Sequence, residues 1–129
     1  MQYLLSPHSK RIEPFAWWDN AFTEEELNWL QQKAKNAIEP AQVSNVGNVD
    51  EEIRRSELNW LNNISENRWV FDKLANIVCS LNTQYFSFDL TGFGEAIQLA
   101  NYGEDKQGMY IWHQDFGKEG ISRKLSVVM

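Results

Sequence analysis

His113 and Asp115 stand two positions apart at the end of the apolar run Met109-Tyr-Ile-Trp112. Side chains at i and i+2 share one face of an extended backbone, so an imidazole and a carboxylate at this spacing can converge on one cation. Such a pair is two thirds of the facial triad of two histidines and one carboxylate, which holds Fe(II) and leaves coordination positions open. The only other histidine is His8, far upstream. His-x-Asp by itself is a weak signal, since the same tripeptide also occurs as solvated polar surface. A hydrolytic metal centre could use the same two ligands, but no general base accompanies them.

The elements that must position this pair are legible around it. Gln98 to Tyr102 alternates as a strand, Gly103 to Gly108 is a polar turn, and Met109 to His113 reads as the returning strand, with Tyr110 three residues before the histidine. Period-two parity divides the first strand: if Tyr102 faces one way, so do Gln98 and Ala100, which leaves Ile97, Leu99 and Asn101 on the side where helices would pack. Leu125, Val127 and Met129 alternate with Lys124, Ser126 and Val128, the pattern of a further strand.

Upstream, Ile12 to Phe22 reads as an extended segment feeding a helix. Thr23-Glu-Glu-Glu26 has the form of a capping box, and a helix over 24–37 follows, with Leu27, Leu30, Ala34 and Ala37 on its apolar face. Pro40 ends it, because the residue before proline is driven out of the helical region. Ala41 to Val46 can then be a strand, 47–52 a loop, and Ile53 to Leu61 a strand on which Arg54 and Arg55 form a solvated or salt-bridged face in preference to a substrate contact. Ser65 is the expected N-cap of the longest helix, 66–83, whose Trp69, Leu74, Ile77, Val78 and Leu81 recur at three- and four-residue steps. Phe86, Phe88 and Leu90 alternate with Ser87 and Asp89 as a strand, closed by the glycine-bearing turn 91–94. Helices come first and strands afterwards. That order predicts an α+β fold with both helices on one face of a mostly antiparallel sheet.

Composition narrows the function. The chain has 129 residues and a net charge of -6, so it is one domain with a modest core. No basic block or stripe supplies an electrostatic footprint for nucleic acid. No stretch approaches the apolar length of a membrane span, and the N-terminus lacks a leader's basic and apolar segments, which predicts a cytoplasmic protein. Cys79 is the single cysteine and lies in an apolar helical pattern, so it is expected to pack in the core. Six tryptophans and seven phenylalanines, many at helical or alternating spacing, are expected to fill a sheet–helix interface.

The order Asn101-Tyr-Gly, a short glycine-containing turn, Tyr110-x-x-His113-x-Asp115, then Arg123-Lys-Leu-Ser-Val-Val128, resembles the prolyl 4-hydroxylase-like branch of the Fe(II)- and 2-oxoglutarate-dependent oxygenases, over about a quarter of the chain. Arg54-Arg55 followed by Ser56 and Trp60 occupies a similar place in that branch. The resemblance implies a double-stranded β-helix, or jelly roll, with His113 and Asp115 as ligands of Fe(II) and 2-oxoglutarate as cosubstrate. Tyr102 matches the tyrosine that hydrogen-bonds the distal carboxylate of 2-oxoglutarate, and Tyr110 one that lines the iron pocket. It implies hydroxylation of a C–H bond of a protein side chain or small molecule, with ascorbate as an accessory reductant.

The distal histidine and the basic residue that clamps 2-oxoglutarate in that family have no counterpart among these residues. The final alternating segment carries no turn, cap or polar tail after Val127-Val128-Met129, so the chain reads as the N-terminal part of an oxygenase domain cut in mid-strand, inactive by itself and prone to self-association through exposed strand edges. The competing reading is a non-enzymatic jelly-roll interaction module in which His113 and Asp115 are remnants and the aromatic clusters form a binding face.

Overall fold

A computed structural model of the chain describes residues 13–36, 39–41, 51–113 and 124–129. The fold is α+β, with two helices and two small antiparallel sheets. In chain order the elements are α1 (Glu24–Lys35), β1 (Glu39–Pro40), β2 (Arg54–Arg55), β3 (Glu57–Leu61), α2 (Arg68–Leu81), β4 (Ile97–Asn101) and β5 (Met109–Tyr110). One sheet has the order β1-β3-β4, and the other pairs β2 with β5.

The capping box that starts α1 is formed in full. The Thr23 amide donates to Glu26 Oε2 at 2.8 Å, and the Glu26 amide donates to Thr23 Oγ1 at 3.3 Å. These bonds satisfy two of the amides that a helix start leaves without intrahelical partners. The acidic first turn and Lys33 and Lys35 in the last turn also match the helix dipole. The inward stripe runs through Glu26, Trp29, Leu30, Lys33 and Ala34, so Leu27 points outward and is exposed, contrary to the expected face.

The register of β3 against β4 puts Leu61 opposite Ile97 and Asn59 opposite Leu99. That face carries the core: Leu61 and Leu99 cluster with Leu30 of α1 and Val70, Phe71 and Leu74 of α2, with Phe22, Trp29, Trp69 and Ile97 packed around them. Both helices therefore lie on the Leu99 side of the sheet, as the parity of 97–102 predicts. Asn59 Nδ2 adds a polar tie by donating to the Lys33 carbonyl at 2.9 Å. Glu26 bonds Lys73 and Lys33 bonds Glu66, pairing α1 with α2 and its approach.

Several expectations are corrected. Ser65 does not cap the second helix: it lies in a turn, and α2 begins at Arg68 after Asn67, whose buried side chain turns back to donate to the Asn62 carbonyl at 2.9 Å. Phe86 to Leu90 forms no strand. After Leu81 the helix widens into a π-helical turn, Asn82–Phe86, closed by Ser87 in the left-handed region with φ 59°. The Asn82 side chain then binds both backbone groups of Phe88, Nδ2 to its carbonyl and Oδ1 to its amide, each at 2.9 Å. A side-chain amide has taken the place of a neighbouring strand.

Cys79 is exposed rather than packed, because it shares the outward stripe of α2 with Asp72 and Asn76. The aromatic residues divide. Trp29 and Trp69 meet edge to face at 5.2 Å beside the core, whereas Phe15, Trp17, Trp18 and Trp112 are exposed. Residues 124–129 carry no strand. The expected strand over 41–46 lies outside the described residues except for Ala41, as do Ala37 and His8.

Candidate metal site at the end of strand β5

The Gly103–Gly108 turn carries the chain from β4 in the larger sheet to β5, which pairs with β2 in the smaller one. Gln107 donates its amide to the Glu104 carbonyl at 3.0 Å and Gly108 donates to Gly103 at 2.9 Å, which closes the loop. A Cβ on Gly108 would stand 2.7 Å from Cα and the carbonyl carbon of Tyr102. Gly108 is thus required by the close approach of backbone to backbone. Lys106 bonds Glu57 of β3 and holds the turn from outside; that hydrogen bond raises the Lys106 pKa above its ordinary value.

β5 is shorter than the sequence pattern predicts. Arg54 pairs with Tyr110 and Arg55 with Met109, and one further amide, that of Ile111, donates to the Ile53 carbonyl at 3.0 Å. The chain then bends at Trp112, which is fully exposed. On a continuing strand Tyr110 and His113, at i and i+3, would point to opposite faces. The bend instead folds the imidazole onto the phenol ring, with ring centroids 3.5 Å apart and planes 14° from parallel.

His113 Nδ1 lies 2.8 Å from the carbonyl oxygen of Ile111. A carbonyl only accepts, so Nδ1 carries the proton and, in the neutral ring, Nε2 carries the lone pair. Metal-binding histidines commonly show this arrangement, the second nitrogen bonded to a backbone carbonyl that fixes tautomer and ring orientation. Asp115, the other expected ligand, lies outside the described residues. Among the described residues no three of His, Cys, Asp and Glu gather closely enough to hold a metal ion. Tyr102 follows β4 directly and is exposed, while Tyr110 is half-buried.

Arg54 is the residue that sequence reasoning misjudged. It is 7% exposed, the one buried charged side chain among the described residues, and makes no salt bridge there. Its Nε donates to Ser56 Oγ at 2.9 Å and its Nη2 to Gln98 Oε1 at 2.8 Å, and its guanidinium carbon lies 4.5 Å from the Tyr110 ring centroid. Two signals pointed toward this: Arg54 and Ser56 are at i and i+2, and parity puts Gln98 on the face away from the helices. Arg55 reaches the Met109 sulfur at 3.1 Å, and its Nε is buried without a hydrogen-bond partner among the described residues.

No protein-family model, curated protein or solved structure matches this chain. No helix among the described residues is long and apolar enough to cross a membrane.

Proposed function

We propose that this chain carries the metal-binding pair of an Fe(II)- and 2-oxoglutarate-dependent dioxygenase. The observation that carries the reading is His113, stacked on Tyr110 and with Nδ1 committed to the Ile111 carbonyl. A neutral imidazole with a fixed tautomer suits Fe(II). In this reading His113 Nε2 and Asp115 bind the metal, Tyr110 walls the site, and the Tyr102 hydroxyl donates to the distal carboxylate of the cosubstrate. When bound, Fe(II) and 2-oxoglutarate supply oxygen activation and C–H hydroxylation, with ascorbate as reductant. The two small sheets are read as facing parts of a double-stranded β-helix joined through Arg54 and Gln98. The substrate is a protein side chain or a small molecule, the protein is cytoplasmic, and neither nucleic acid nor a membrane is a partner.

His113 and Asp115 are two of three facial ligands, so the 129-residue chain is expected to bind metal weakly and to produce no succinate. Anaerobic calorimetry with Mn(II) on the full chain tests the assignment. Weak binding that disappears in both His113→Ala and Asp115→Ala supports it; wild-type binding in both variants refutes it. A second reading, a jelly-roll interaction module, is favoured by the exposed Phe15, Trp17 and Trp18, and by a recess between Trp18, Trp69 and Ile77 on the flank of α2. In that case neither substitution alters any ligand binding, and self-association or partner capture maps to those aromatics.

A further inference from the structure

The environment of Arg54 is unusual for a residue with a purely structural task. A buried cation is normally matched by a carboxylate, because leaving water without an opposite charge costs free energy. Here the described partners are neutral: a hydroxyl, an amide oxygen and an aromatic face. A methionine or leucine would fill similar space without that cost. What the guanidinium supplies, and an apolar side chain does not, is a rigid plane with directed donors. Ser56 fixes that plane from the Arg54 strand side and Gln98 fixes it from β4.

Arg54 also stands directly across the β2–β5 ladder from Tyr110. Cations within about 6 Å of a ring centroid are attracted to the π face, and the 4.5 Å separation is within that reach. Tyr110 is in turn stacked on His113. Guanidinium, phenol and imidazole therefore touch in turn, and this series of contacts is tied at its buried end to the larger sheet through Gln98. Its other end is an exposed histidine just beyond the last ladder bond, its ring held both by the stack on Tyr110 and by the Nδ1 contact with the Ile111 carbonyl.

We infer that Arg54 is a positioning residue: held by Ser56 and Gln98, it orients Tyr110 and through it the His113 imidazole. The orientation follows from the contacts just given. Its use in metal binding rests on the function proposed above and deepens it. Arg54 would act without touching the metal, by holding the ring whose Nε2 is to be the ligand. Lysine would keep the charge but lose the planar fork, so it cannot bind Ser56 and Gln98 while facing Tyr110.

The test reads His113 directly by NMR in the full-length chain without metal. A stacked tyrosine shifts the imidazole proton resonances upfield, and Tyr110→Leu supplies the unshifted reference. Arg54→Met and Arg54→Lys are both expected to move the His113 resonances most of the way to that reference. Gln98→Leu and Ser56→Ala, which each remove one tether and leave Arg54 in place, are expected to move them part of the way, and they decide the matter if Arg54→Met does not fold. Co(II) affinity at His113 should then fall in Arg54→Met by about 10- to 100-fold, the usual effect of losing an outer-shell partner.

His113 resonances unchanged in all four variants, or changed with full Co(II) affinity retained, would overturn the positioning role. If wild-type protein binds no Co(II) at His113 while the resonances still respond as expected, the metal assignment fails and the orienting contact stands.

Discussion

Replacing Gly108 by alanine probes the close approach of the two ends of the turn between β4 and β5. The added Cβ would meet Tyr102 Cα and carbonyl carbon at 2.7 Å and Tyr102 Cβ at 2.9 Å. All three atoms belong to or adjoin backbone, so no rotamer change relieves the overlap, and the 103–108 turn must open by several tenths of an ångström. Gly108 is not among the residues with positive φ, so the requirement is one of space alone. Overpacking of this kind costs about 1–3 kcal/mol. For a chain of this length that is a fall in melting midpoint of roughly 4–12 °C.

Gly103→Ala is the control. Its Cβ would meet only the end of the Asp105 side chain, which can swing away, so its stability should stay within about 0.5 kcal/mol of wild type. Thermal unfolding followed by circular dichroism measures both variants, and hydrogen exchange of the residue 108 amide, bonded to the Gly103 carbonyl, reports the turn itself. A Gly108→Ala protein that melts with wild type and keeps that amide protected would refute the close approach.

Other tests address the core and its charged border. Leu74, buried in the cluster shared by both helices and the sheet, should cost about 2–5 kcal/mol when cut to alanine, read as a lower urea midpoint with unchanged slope. Glu26 is held below the usual carboxylate range, first by the hydrogen bond from Lys73 and then by the Thr23 amide. A depressed carboxyl pKa contributes stability above its unfolded value and loses it as pH falls through the folded one. Urea titrations between neutral and acid pH should therefore show wild type ahead of Glu26→Gln at neutrality, with the two converging in acid; parallel curves would contradict the pairing.

Much of the architecture was legible because it is local or periodic. Thr23 and Glu26 announce the start of α1 through bonds spanning three residues, and nothing distant can easily replace them. Parity along 97–102 identified Ile97 and Leu99 as helix-facing, because alternation is imposed by the pleat itself. The glycines at 103 and 108 marked a turn. An α+β arrangement with both helices on one side of an antiparallel sheet follows from these features and the order of elements.

Tertiary structure decided what depended on how one element ends and on partners remote in the chain. The alternation of Phe86 and Phe88 suits a strand, but Asn82, fixed by the wide end of α2, supplies the Phe88 backbone with its hydrogen bonds and leaves no ladder to form. Arg54 reads as solvent-facing by composition, and only the meeting of β2, β4 and β5 buries it between Gln98 and Tyr110. His113 is visible as a possible ligand from its neighbour Asp115. Its stacking on Tyr110 needs a bend at Trp112 that interrupts the strand period, and periodicity cannot report the point at which it stops. Local hydrogen bonds and alternation are written in neighbouring residues, whereas burial of a charge and the aim of a ring depend on what the rest of the fold brings against them.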